Sequence, residues 1–232
     1  MSLFKKNINS IIMVHLVVGL FIAFVYLTPT HFEFLMWNVF LALLPLDFAL
    51  IAISSRLKVT QLSFSILWLL FFPNTMYMIT DFIHLQYIST ALDVRYQYFN
   101  YSVLAAGIFI GVFLGILSLE LMMHRFLKKK GPWPSLITLG IVSWLSSFGI
   151  YLGRFLRLNS WDVFTNFDMV VYYMKTSISR HMFAFVGLFA LAQFAILVAY
   201  HYGGRLLVHL AQQEQEEANR AANDQGSEIS EN

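Results

Sequence analysis

The chain contains no cysteine, so disulfides, thiolate metal sites and a cysteine nucleophile are all excluded. Charge is scarce as well. Asp, Glu, Lys and Arg make up 12% of the residues, against roughly 25% in a soluble domain. The spacings of a P-loop, a dinucleotide-binding turn, a serine-hydrolase elbow and a zinc protease are missing. No internal repeat with a period of about 20 to 50 residues is visible. No small-residue cleavage site follows the first apolar run, which therefore reads as an uncleaved span rather than a signal peptide.

What is present is apolar: 58% of the 232 residues are hydrophobic. The runs recur to residue 203 and leave no room for a separate soluble domain. The expected fold class is all-α, a polytopic membrane bundle with spans at residues 11–27, 34–53, 62–80, 101–123, 135–155 and 182–202. Residues 1–10 form a short leading tail and 11–203 the bundle. After Gly203-Gly204, residues 204–232 read as a mostly disordered tail, with six acids against one arginine from Gln212 onward. Gly131-Pro132-Trp133-Pro134 reads as a strong helix stop, and the tyrosine-rich stretch from Asp81 to Asn100 as a loop or interfacial segment.

Six spans put both termini on one side of the membrane. With the N-terminus in the cytoplasm, ten of the fifteen basic residues fall in cytoplasmic segments, among them Lys5, Lys6, Arg56, Lys58 and the run Arg125, Lys128, Lys129 and Lys130. That is the pattern of the positive-inside rule. Gly107, Gly111 and Gly115 form a small-residue seam in the fourth span, and Gly149 and Gly153 repeat the spacing in the fifth.

The third span ends in chemistry. At α-helical spacing Asn74, Tyr77, Asp81 and His84 share an arc of about 80°, so an amide, a phenol, a carboxylate and an imidazole would line one face below the kink expected at Pro73. Polar groups at membrane depth are costly and usually face a bundle interior or a watery cavity. Asp81 and His84, one turn apart, are the candidate acid–base pair. Two such ligands do not make a metal set, and neither a metal nor any other cofactor is assigned. At the outer end of the fifth span, Arg154 and Arg157 suit a phosphate or carboxylate, with Asn159 and Asp162 beside them. His15, Asp47 and Glu120 are the ionisable groups of the inner half.

The pairing of Pro73-Asn74-xx-Tyr77-xx-Thr80-Asp81-xx-His84-Leu85 with Gly153-Arg154-xx-Arg157-xx-Ser160-Trp161-Asp162 resembles the bacterial membrane family called domain of unknown function 1361. The resemblance covers residues 35–200 and implies a multi-span protein of the bacterial cytoplasmic membrane. It carries no catalytic assignment.

The leading expectation is an outer-face polar pocket built from Asn74, Tyr77, Asp81, His84, Arg154, Arg157, Asn159 and Asp162, binding or processing an anionic lipid headgroup or cell-envelope precursor. Whether it is an enzyme stays open. The first alternative is a proton-coupled small-solute transporter working through His15, Asp47 or Glu120. The second is a structural scaffold whose glycine seams recruit other helices or a second copy. The lipid bilayer is the expected partner, and nucleic acid is not.

Overall fold

The computed structural model describes residues 3–127 and 132–230, with side chains described over residues 7–127 and 133–220. The described residues form nine α-helices and one 3-10 helix. They are α1 (Leu3–Leu27), α2 (Phe34–Ser54), α3 (Lys58–Phe71), α4 (Pro73–Tyr77), the 3-10 helix (Met78–Tyr87), α5 (Val94–Leu127), α6 (Pro132–Leu156), α7 (Asp162–Thr165), α8 (Phe167–Thr176) and α9 (Arg180–Ser230). Six helical segments are long and apolar enough to cross a membrane, and this is an all-α polytopic membrane protein.

The chain crosses back and forth between two ends. The end that carries the 3-10 helix is called here the pocket end, and the other the far end. Helix α2 is the centre of the bundle: Leu35, Val39, Ala42, Leu46, Ala49 and Ala52 are all buried against α3, α4 and α5. Its alanines let those neighbours approach. Helices α6 and α9 pair beside this group, where Gln193 of α9 donates to Ser147 of α6 at 2.7 Å. Outward-facing Leu20, Phe113, Leu188 and Leu191 are exposed on the remaining surface. In a bilayer such side chains meet acyl chains and need no other cover.

The α5 glycines are tight packing points. A Cβ built on Gly107 would come within 3.0 Å of Leu35, one on Gly111 would run into Met78, and one on Gly115 would run into Thr75. The seam expected from the four-residue spacing thus faces α2 at Gly107, the 3-10 helix at Gly111 and α4 at Gly115. It fixes the depth of the residues that follow Pro73.

Two local expectations are corrected. The third span is not one helix: α3 stops at Phe71, α4 restarts at Pro73, and a 3-10 helix reaches Tyr87 where a loop or interfacial segment was expected. Pro132 opens α6 instead of ending a helix, because a proline in the first turn has no missing partner for its absent N–H. Gly131 and the basic run Lys128–Lys130 lie outside the described residues. Helix α9 continues through Gly203 and Gly204 to Ser230, since two glycines cost a helix only about 2 kcal/mol in total.

Candidate functional site

The site begins with a proline. Pro73 has no N–H, so it leaves the Leu69 carbonyl without its helical donor and breaks the ladder between α3 and α4; beside the break Asn74 donates Nδ2 to the Phe71 carbonyl at 2.9 Å. The same Nδ2 reaches Ser160 Oγ at 3.1 Å, which ties the break to the segment after α6. Gly149 of α6 makes the fit: a Cβ there would stand 2.7 Å from Pro73 Cγ.

From Met78 the chain tightens. In a 3-10 helix residues three apart eclipse one another, so Asp81 and His84 lie on one edge, while Asn74 and Tyr77 belong to α4. The single face expected from α-helical spacing is therefore split between two short elements.

The split separates charges from neutral groups. Asp81 is 1% exposed and draws three partners: Asn38 Nδ2 donates to Oδ2 at 2.9 Å, while Arg154 Nη1 and His84 Nε2 stand 3.6 and 3.7 Å from Oδ1. A buried carboxylate without such partners would be strongly disfavoured. Arg154 also donates Nη1 to the Tyr77 hydroxyl at 3.0 Å, with its guanidinium 5.6 Å from the ring centroid. His84 packs on Phe34, ring centroids 4.5 Å apart.

Beside this network lies a cavity of about 200 Å³, whose polar wall is Asn38, Asn74, Tyr77, Asn159 and Ser160, with Trp37 among its apolar lining. Asp81, His84, Arg154 and Arg157 do not line it. The charged residues instead grip the backs of the wall groups. Asn38 spends a donor on Asp81 and keeps its carbonyl for the cavity. Tyr77 accepts from Arg154 and keeps its O–H. Asn74 spends its amide hydrogens on Phe71 and Ser160, keeping an acceptor, and Ser160, accepting from Asn74, keeps a donor.

The structure treats the expected residues unequally. Asn74, Tyr77 and Asn159 are on the wall, and Asp81, His84 and Arg154 form the network behind it. Asp162 is not at the cavity: its Oδ2 accepts the Asn159 backbone N–H at 2.7 Å and closes the turn after α6. Arg157 is exposed, sits at φ 56° on that turn and has no hydrogen-bond or ion-pair partner among the described residues. It lies outside the cluster because the turn reverses the chain immediately after Arg154's helix ends.

Sequence reasoning missed Asn38, Ser160 and Trp37. Asn38 carried a usable signal, being a lone amide in an otherwise apolar stretch of α2. Ser160 stood in the second of the two motif stretches without being read as a site residue, and its contact with Asn74 places it on the wall. In the remaining bundle, His15 pairs with Asp47 at 2.9 Å, and Glu120 pairs with His201 at 2.9 Å, a histidine the sequence did not single out. No group of three metal-ligating side chains occurs among the described residues.

The cavity wall and its supporting network lie between Trp37 and Val170, inside the span where a family model matches, residues 37–196. The chain belongs to the family described as Protein of unknown function (DUF1361). No curated protein and no solved structure matches the chain. Membership in DUF1361 therefore brings no activity with it, and the chemistry has to be read from the cavity.

Proposed function

We propose that this DUF1361 protein binds a hydroxyl-rich headgroup, of the sugar or polyol class, carried by an anionic amphiphile of the membrane. The observation that carries this reading is the alternation of free acceptors (Asn38, Asn74) and free donors (Tyr77, Ser160) on one small wall. A ligand hydroxyl donates and accepts at once, so it matches such a wall better than a bare anion does. The cavity, at about 200 Å³, is smaller than the roughly 300 Å³ at which pockets hold a whole ligand, which favours a headgroup whose remainder stays in the bilayer. Arg157, exposed and unpaired on the adjacent turn, supplies the cation for a phosphate outside the wall.

Asp81 and His84 act in this reading as positioning residues, not as acid and base. Asp81 is buried, off the cavity wall and already engaged by three side chains. The test uses the full chain in detergent with glucose 1-phosphate as the probe, set beside glucose and inorganic phosphate. A saturable rise in melting temperature with glucose 1-phosphate, larger than that with inorganic phosphate, is expected, the excess lost in Asn74→Ala and weakened in Arg157→Gln. An excess that survives Asn74→Ala unchanged, or no excess over inorganic phosphate, overturns the reading.

A further inference from the structure

A second cavity, of about 520 Å³, opens at the far end between α5, α6 and α9. Glu120 on α5 and Gly153 on α6 lie at opposite ends of the bundle, so the two cavities are separate sites. The far-end cavity is lined by Glu120 and His124 of α5, Ser135 of α6, and His201, Arg205 and His209 of α9. From this arrangement we infer a binding site for a phosphate group at the α5–α6–α9 mouth.

The balance of partners carries the inference. Glu120, the acid on this wall, turns both carboxylate oxygens to His201 Nδ1, at 2.9 and 3.1 Å. With Nδ1–H donating to Glu120, the other ring nitrogen, Nε2, is buried with no hydrogen-bond partner among the described residues. His201 thereby engages the acid of this wall. The basic groups are in the opposite condition. Arg205, His124 and His209 are exposed, and no carboxylate pairs with any of them among the described residues. Among the described residues, the Tyr202 ring stands against Arg205, 5.8 Å from its guanidinium carbon. One permanent cation, two imidazoles and the Ser135 hydroxyl around a cavity of this size present donors from three helices to a single anion.

The contrast with the pocket end supports the assignment. There the arginine on the helix is consumed by Asp81 and Tyr77. Here the cation is left facing open space.

Phosphate can arrive as the headgroup of an anionic lipid or as a free phosphorylated solute, and the experiment separates the two. Full-length protein in neutral detergent is titrated with inorganic phosphate in one arm, and with phosphatidylglycerol in mixed micelles in the other, following melting temperature. Saturable stabilisation in either arm is expected: by inorganic phosphate for a soluble ligand, by phosphatidylglycerol alone for a lipid. Arg205→Gln should raise the half-saturation concentration by about tenfold, the loss of one charge-assisted hydrogen bond. His124→Gln combined with His209→Gln should also weaken it, whereas Glu120→Gln keeps the contact to His201, removes the one negative charge and should tighten it. Asn74→Ala at the other cavity should leave the titration unchanged, so failure of the headgroup reading does not disturb this one. Absence of saturation in both arms, or equal half-saturation in wild type and Arg205→Gln, overturns the inference.

Discussion

At the pocket end an arginine, an aspartate and a histidine sit close together and the cavity beside them is neutral; at the far end an acid and a histidine pair off and the cavity beside them is basic. The difference lies in packing distance. Gly111, Gly115 and Gly149 draw α4 and the 3-10 helix against α5 and α6 so closely that Asp81 is sealed, and a sealed carboxylate needs a cation from the protein itself. Among the described residues no glycine contact of that kind closes the far end, where Gly203 and Gly204 meet nothing within 4 Å, and the basic side chains stay solvated and available. Charges at a membrane protein's ends are thus not equivalent. Those locked by backbone approach position other groups, and those left open are free to meet a ligand.

The comparison breaks most completely on topology. Reporter fusions at Gln97, in the first turn of α5 at the pocket end, and at Lys129, after α5 ends at Leu127, should report opposite compartments, with Gln97 outside. Identical compartments would remove the two-ended description altogether.

Next in size is the sealed pair. Arg154→Met leaves Asp81 buried without its cation and should lower unfolding stability in detergent by about 3 kcal/mol. The comparable far-end change, Arg205→Met, should cost under about 0.5 kcal/mol because that side chain is exposed and unpaired. Equal losses at the two positions would erase the distinction between locked and open charges.

Smaller again are the glycines. Gly149→Ala places a methyl 2.7 Å from Pro73 Cγ and should destabilise by about 1 to 3 kcal/mol, shifting the Pro73 break and with it Asn74. Gly111→Leu, which meets Met78, should do at least as much. The smallest effect is the control: Gly187 of α9 has nothing within 4 Å, so Gly187→Ala should stabilise by up to about 1 kcal/mol through helix propensity. A thermal-melt series over these variants orders them, and a Gly149→Ala protein as stable as Gly187→Ala would mean that α6 does not press on the break.

Much of the architecture was legible because lipid simplifies the problem. A span must be long, apolar and helical, so composition alone located all six crossings, and the four-residue glycine spacing located the tight seam in α5. The motif residues that carry charge were also visible, since a charged side chain at membrane depth always asks for an explanation. Asn38 obeyed the same rule and was passed over only because a lone amide draws less notice than a carboxylate.

The sequence by itself determined the helical class, the number of crossings and which side chains would be costly to bury, because each of these follows from local composition and period. Only the tertiary structure decided what those side chains do. Whether Asp81 faces a ligand or Arg154, whether Asp162 binds or closes a turn, and whether Glu120 stands alone or with His201 depend on contacts between residues 3 to 86 positions apart. Those contacts are set by how closely helices approach, which the spacing of residues along one helix does not contain. The change from α to 3-10 geometry after Tyr77 is likewise not contained in the spacing along one helix: it begins where Met78 meets α5 at Gly111.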